Sequence, residues 1–243
     1  MFSFIIDTIK IIFMLGFLVL IHEGGHFIVA KLLKIQVNEF SIGFGKKIWS
    51  KKIGDTIYSI RLLPLGGYVN MEGEEEHSEK EGSFSKTKIY KKILIVLAGA
   101  FVNIIFGLIS FFILVWIKYD LLTAITSLNN FIISITMSFV NILKGKIYIE
   151  QMTGVIGISN IIVTSQNLFE YIYIISLISI SLGLTNLLPI PPLDGGKIIF
   201  YLIEKIRKKP LSQEIELKIQ SWGFSILILV SIYITYKDIL KIF

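Results

Sequence analysis

Five consecutive residues, His22-Glu23-Gly24-Gly25-His26, place two of the three histidines of the chain beside a carboxylate. On an α-helix, residues four positions apart lie on one face, so the imidazoles of His22 and His26 can bind one metal ion. Glu23 lies off that face but still reaches a water molecule on the metal, where it can act as a general base in peptide hydrolysis. The motif predicts a zinc site, and the alternative is a pair of structural histidines in a helical core.

The motif lies within an apolar run, and this location favours a functional role. An ionisable group inside a membrane span costs about 2.5 to 3.5 kcal/mol on insertion scales, so such groups usually mark functional sites. Gly24 and Gly25 add to the cost, because each glycine inside a helix is about 1 kcal/mol less favourable than alanine. We therefore expect another part of the chain to approach this backbone closely.

The composition predicts an integral membrane protein. The chain has 243 residues, of which 53% are hydrophobic and 17% charged, and its mean hydropathy is +0.73. This length holds four or five helical spans of about 20 residues in a single domain, 1–243. The net charge of +6 comes from lysines beside apolar stretches, where the positive-inside rule and anionic lipid explain it better than nucleic acid. Because the chain has no cysteine, any metal must be held by histidine and carboxylate.

We predict an all-α polytopic membrane protein of about four transmembrane helices, with a small membrane-associated β-hairpin between the first two. The four predicted spans are 4–33, 93–117, 168–188 and 222–236. Asp7 and Lys10, and the lack of a small-residue cleavage site, mark the first as a retained span and not a signal peptide. The lysine-rich loop 34–92 is expected in the cytoplasm.

The segments between the spans carry signals for smaller elements. Aromatic and β-branched residues around a turn-like cluster predict a β-hairpin region over 39–70. Within it Leu63–Tyr68 is too apolar for a solvated loop and is expected to return toward the membrane against protein. Residues 121–143 have polar residues at spacings of three and four, which favours an interfacial amphipathic helix over a further span. Gly154–Gly157 is expected to form a turn, and His77 to lie in a solvated acidic loop.

A third ligand is needed, because a catalytic zinc usually has three protein ligands and one open position. Asp194 is the carboxylate that lies between apolar segments, just after three prolines in 189–192 that prevent a continuous helix. If the first three spans cross in turn, the ends of the first and third reach the same surface, so Asp194 can meet His22 and His26. A full span at 121–143 would put Asp194 on the opposite side. Asn103, the one strongly polar residue of the second span, is expected to meet a polar partner or to bond a neighbouring helix.

Three motifs together resemble the site-2 protease family of intramembrane zinc metalloproteases, in particular the bacterial regulator-of-sigma-E proteases. They are H-E-G-G-H at 22–26, L-P-L-G-G-Y at 63–68 and N-L-L-P-I-P-P-L-D-G-G at 186–196. The resemblance covers nearly the whole chain. It implies Zn²⁺ as the cofactor with ligands His22, His26 and Asp194, Glu23 as the catalytic base, and Asn186 in contact with the substrate backbone.

The chain departs from this family at several points. Familiar members carry one or two PDZ domains between the second and third spans, and here only about fifty residues stand in that place. Ala100 and Val155 replace prolines that are usual in the family, and Lys197 replaces a common histidine. None of these changes removes a zinc ligand, but gating of the substrate by a PDZ domain does not carry over.

The expected activity is hydrolysis of a peptide bond within the transmembrane segment of single-span membrane proteins, such as anti-sigma-factor-like regulators or remnant signal peptides. The expected location is the bacterial inner membrane, with the site near the cytoplasmic side and with substrate helices and lipid as partners. The hairpin edge is expected to bind an unwound substrate as an added strand. The expected substrate-binding residues are Ile57, Ser59, Arg61, Gly66, Gly67 and Asn186. Two alternatives stay open: a membrane-anchored metalloprotease that cuts soluble loops, and a non-catalytic scaffold or zinc-handling protein.

Overall fold

The structure is a computed structural model that describes residues 2–74, 76, 78–146, 153–165, 167–209 and 211–242. Its elements in chain order are α1 (Phe2–Leu32), β1 (Val37–Ile53), β2 (Thr56–Met71), α2 (Ile89–Lys118), α3 (Leu121–Leu143), α4 (Val155–Thr164), α5 (Leu168–Asn186), α6 (Asp194–Arg207) and α7 (Gln213–Ile242). His77 lies outside the described residues, so its place in a solvated loop stays a prediction.

Among the described residues, five helices are long and apolar enough to cross a membrane, namely α1, α2, α3, α5 and α7. None of them contains a proline, so each can close its backbone hydrogen bonds within the helix, as lipid requires. Four of the five coincide with the predicted spans, and the sheet formed by β1 and β2 lies between the first two of them. The predicted class, a polytopic helical membrane protein with a small β-element, is confirmed.

The packing of α3 differs from the predicted interfacial helix. Phe131 of α3 stacks on Phe111 of α2 with ring centroids 4.4 Å apart, and Ala124 is buried in the same cluster as Val115. The helix therefore runs back along α2 as a fifth candidate span. Its hydroxyl groups are compatible with this position, because several of them, such as that of Ser138, donate to a carbonyl of the preceding turn.

The expectation that a span at 121–143 would separate Asp194 from the histidines is wrong. α5 also runs opposite to α2, since Tyr173 contacts the ring of Phe111 while Ser179, further along α5, bonds Asn103. α3 and α5 therefore run in the same direction. α5 thus still ends on the side where the histidines lie.

One segment of β1 lies between two parts of β2 in the sheet. Residues 39–42 of β1 pair with 57–60 of β2 and also with 67–70, where β2 comes back past them. Gly54 and Asp55 form the turn, which confirms the predicted hairpin region. Within Leu63–Tyr68 the Pro64 carbonyl packs on α1 at Gly16, where an added Cβ would lie 2.6 Å from the oxygen. The expected approach of this segment to protein is confirmed.

The C-terminal half supplies the remaining helices. α5 ends at Asn186 and α6 begins at Asp194, as the intervening prolines require. Gly154 does not begin a turn but caps α4, because Asp238 of α7 accepts hydrogen bonds from the Gly154 and Gly157 N–H groups at 2.8 and 3.0 Å. A carboxylate at a helix N-terminus satisfies donors that would otherwise have no partner.

Candidate metal centre

His22, His26 and Asp194 bring three potential ligand atoms together. The Nε2 atoms of the two imidazoles are 3.2 Å apart, and Asp194 Oδ2 lies 3.0 Å from that of His22 and 3.4 Å from that of His26. Both histidines are buried. Two motifs separated by about 170 residues therefore meet at one point, as the sequence predicted.

The spacing of these atoms fits a zinc ion. In a tetrahedral site with zinc–ligand distances of about 2.0 to 2.1 Å, the ligand atoms lie about 3.3 to 3.4 Å from one another. The three observed separations are 3.0, 3.2 and 3.4 Å. Asp194 Oδ2 is buried and makes no well-formed hydrogen bond within the described residues, which suits an atom whose partner is a cation. Two imidazoles and a carboxylate also form a common ligand set of catalytic zinc.

The three candidate ligands are held by groups on two elements, α2 and α6. The Nδ1 atom of His26 lies 2.8 Å from the Ile95 carbonyl of α2, which fixes the orientation of that ring. Asn103 of α2 lies next to Nδ1 of His22. Asp194 stands in the first turn of α6, where the partial positive charge of the helix N-terminus favours a carboxylate.

Glycines let α1 and α2 approach at the site. A Cβ on Gly25 would lie 2.6 Å from the Ala98 carbonyl oxygen, which confirms the expected close approach, whereas a Cβ on Gly24 would meet nothing within 4 Å. On the facing helix a Cβ on Gly99 would lie 2.4 Å from His26 Nε2. The sequence analysis missed Gly99, and the signal for it was the run of small residues 98–100 in the second span, which is typical of close helix packing.

The three ligands open onto a cavity of about 550 Å³. Glu23 lines it beside them, together with Tyr68 and Val69 of β2. Lys197, one turn after Asp194 on α6, also lines the cavity and makes an ion pair of 2.9 Å with Glu74. The Glu74 carboxylate raises the pKa of the Lys197 ammonium, so this group stays charged. The cavity therefore holds a carboxylate beside the potential metal ligands and a fixed positive charge at its side.

The structure corrects the predicted substrate edge. Ile57 pairs with residues on both sides, Lys52 and Glu39, and Ser59 likewise pairs with Ser50 and Ser41, so neither lies on an open edge. The Arg61 side chain is 2.9 Å from Glu39. Sequence alternation shows that a segment is a strand, but it does not show which strands come to flank it.

Ser59 and Arg61 instead support a carboxylate within the sheet. Burial works against ionisation of Glu39, but hydrogen bonds from Ser59, Arg61 and Lys47 outweigh it and lower the pKa of Glu39 to about 2. The Arg61 guanidinium also donates to the Tyr68 hydroxyl at 2.6 Å. These polar side chains therefore form a connected hydrogen-bond network within the sheet, which includes the cavity-lining Tyr68.

Among the described residues the sheet has two open edges, 49–53 and 67–71, each of which pairs on one side only, and the cavity is bordered by 67–71. Tyr68 and Val69 of this edge line the metal cavity. Gly66 and Gly67 are buried at its start. Asn186 is half-buried as the last residue of α5 and is not among the residues that line the cavity, so its contact with a substrate stays a prediction.

Comparison with known proteins agrees with this geometry. Residues 10–230 match the model of Peptidase family M50. Among similar proteins, each named a "putative zinc metalloprotease", that of Fusobacterium nucleatum is 28% identical over 95% of this chain and 97% of its own. That of Clostridium acetobutylicum is 26% identical over 92% and 94%, and that of Campylobacter jejuni 25% identical over 98% and 94%. The first alignment spans 332 positions, more than the 243 residues here, so that relative has additional internal residues. Since the family model covers most of the chain, this chain belongs to Peptidase family M50 and is a multi-pass membrane zinc metalloprotease.

Proposed function

We propose that this protein is a site-2 type protease that hydrolyses peptide bonds within the transmembrane segments of single-span membrane proteins. The observation that carries the proposal is the position of the two histidines along the apolar helix α1. His22 and His26 lie ten and six residues before the end of α1, which is about 15 and 9 Å along a helix. Such a depth falls inside a hydrocarbon layer of about 30 Å. The lysines of 34–92 support a cytoplasmic location of the nearer surface, and hence a bacterial inner membrane.

In this proposal His22, His26 and Asp194 hold the zinc ion and Glu23 is the general base. Zinc, when bound, lowers the pKa of a water molecule and polarises the scissile carbonyl. The Glu23 carboxylate accepts a proton from the water molecule as the water oxygen attacks the carbonyl carbon. The same carboxylic acid then gives the proton to the amide nitrogen as the C–N bond breaks, which leaves one new carboxyl group and one new amine.

The proposed substrate has to be extended at the site, because a membrane helix hides its carbonyls in its own hydrogen bonds. The edge segment 67–71 suits an extended chain, since among the described residues it pairs with β1 on one side only and it borders the metal cavity. Addition of a strand to an open edge is a common mode of peptide binding. This edge takes the place of the one that the sequence predicted at Ile57, Ser59 and Arg61.

Glu23→Gln tests the reaction. We expect purified wild-type protein in vesicles to cut a single-span substrate within its span, and Glu23→Gln to retain bound zinc but to lose at least about 100-fold of the cleavage rate, the scale of a general base. The same scissile sequence placed in a soluble linker serves as the control and should not be cut. Unchanged cleavage by Glu23→Gln, or preferred cleavage of the soluble linker, would reject the proposal.

Cysteine cross-linking tests the binding of substrate at the edge segment 67–71. Because the chain has no cysteine, any disulfide must involve an introduced residue. We expect Val69→Cys, on the open edge, to form a disulfide with a cysteine placed near the scissile bond of the substrate. Ile57→Cys, inside the sheet, is the matched control and should not. Equal cross-linking at both positions would argue against strand addition at 67–71.

A further inference from the structure

Asn103 occupies an unusual position for a polar side chain. It is fully buried on α2, and its amide lies 3.4 Å from Nδ1 of His22 on α1. Its side-chain oxygen has no hydrogen-bond partner among the described residues. A buried acceptor without a partner costs about 1 to 3 kcal/mol, so its surroundings need an explanation.

The two ring nitrogens of His22 face different groups. Nε2 points at Asp194 Oδ2 and at Nε2 of His26, the side on which the metal would lie, so Nδ1 is the nitrogen that faces Asn103. A neutral imidazole that offers Nε2 to a metal carries its hydrogen on Nδ1. Nδ1 of His22 is then a donor and needs an acceptor.

The orientation of the Asn103 amide follows from this requirement. The nitrogen and oxygen of an amide are distinguished by their hydrogen bonds and not by their positions alone. With the nitrogen facing His22, two donors oppose each other and the oxygen has no partner. With the oxygen facing His22, Nδ1–H has its acceptor. Only the second orientation agrees with the ligand role of His22.

We propose that Asn103 is a positioning residue for the metal centre, which accepts a hydrogen bond from Nδ1–H of His22 and so presents Nε2 to zinc. The Ile95 carbonyl does the same for His26, at 2.8 Å. Each histidine thus has one acceptor from α2, a backbone carbonyl for one and a side chain for the other. The inference rests on the proposed role of His22 as a ligand and is independent of the substrate.

Zinc affinity of purified variants, measured by competition with a chromophoric chelator, tests this role. Asn103→Leu keeps a similar volume but removes the acceptor, and we expect it to weaken zinc binding 10- to 100-fold, the usual effect of losing such a partner. Asn103→Asp keeps an oxygen acceptor and should bind zinc within about threefold of wild type on the same scale. If the leucine variant does not fold, Asn103→Ala also removes the acceptor and takes its place in the test.

Ser179→Ala is the matched control, because Ser179 donates to the backbone carbonyl of Asn103 at 2.8 Å in the same contact of α2 with α5. It loosens that contact without removing the acceptor, and its zinc affinity should match wild type. Wild-type affinity in Asn103→Leu, or equal weakening in Asn103→Asp or Ser179→Ala, would overturn the inference while leaving the proposed protease intact. A wild-type protein that binds no zinc would instead overturn the ligand assignment itself.

Discussion

A single methyl group on Gly99 should disable the metal centre without altering any ligand. A Cβ at this position would lie 2.4 Å from His26 Nε2 and 2.9 Å from His22 Cε1, whereas ordinary contacts of a Cβ begin at 3.4 Å. His26 would have to retreat by about 1 Å. Zinc–ligand distances vary by only about 0.2 Å, so the displaced imidazole would leave the coordination sphere.

We expect Gly99→Ala to lower zinc affinity by at least about 100-fold, which corresponds to about 2.8 kcal/mol. Loss of the group that orients one ligand weakens metal binding about 10- to 100-fold. We take the upper end of that range because the substitution moves the ligand itself. Chelator competition on purified protein gives the affinity. The added methyl group could also be accommodated by a shift of α2 away from α1. The unfolding temperature of the metal-free protein detects such a loss of helix packing.

Gly24→Ala is the matched control for this experiment. A Cβ on Gly24 meets nothing within 4 Å, although the residue lies between the two histidines of the motif at 22–26. We expect zinc affinity to stay at the wild-type value and α1 to be stabilised by up to about 1 kcal/mol. If Gly99→Ala binds zinc as tightly as Gly24→Ala, the close contact of α2 with the imidazoles does not exist in the protein.

Other contacts near the cavity give further predictions. Lys197→Met should lower the unfolding temperature because it leaves Glu74 unpaired, and exchange of the two charges should restore part of the loss in a double-mutant cycle. Asp238→Leu should cost about 1 to 3 kcal/mol in chemical unfolding, because the first N–H groups of α4 lose their buried acceptor. The pKa of Glu39 is about 2 against an ordinary 4.5, so its stabilisation is present above pH 4.5 and is lost as the pH falls toward 2. The difference in unfolding temperature between wild type and Glu39→Gln should shrink over that window.

The meeting of His22, His26 and Asp194 was predictable because strong local rules place each of them. A spacing of four on a helix places His22 and His26 on one face, and Asp194 is the carboxylate that prolines hold between apolar segments. The β-hairpin and four of the spans were predictable for similar reasons, since alternation and length are properties of a single segment. Each of these features depends on residues close in sequence. The path of α3 and α5 that brings them together was not predicted.

The features that sequence reasoning missed depend on contacts between distant segments. Ile57 and Ser59 look like residues of an outer strand, but two parts of β1, 39–41 and 50–52, flank them on both sides. The open edge that borders the cavity lies ten residues later. The polar stripe of α3 suggested a water-facing surface, but hydroxyl groups can bond their own helix and remain in an apolar setting. Gly99 carries no chemistry of its own. Its importance appears only when α1 is known to pack across it.

The arrangement of helices fits the proposed position of the centre inside an apolar layer. Charged and polar ligands at that depth are tolerated only where protein surrounds them, and α2 provides this surround at three points: the Ile95 carbonyl, Gly99 and Asn103. α2 contributes no ligand, yet it orients one imidazole, makes room for both and contacts the other. It also packs along α5, whose end sets the position of Asp194. A shift of α2 relative to α1 would therefore disturb both imidazoles together, so we expect zinc affinity to respond to the packing of these two helices.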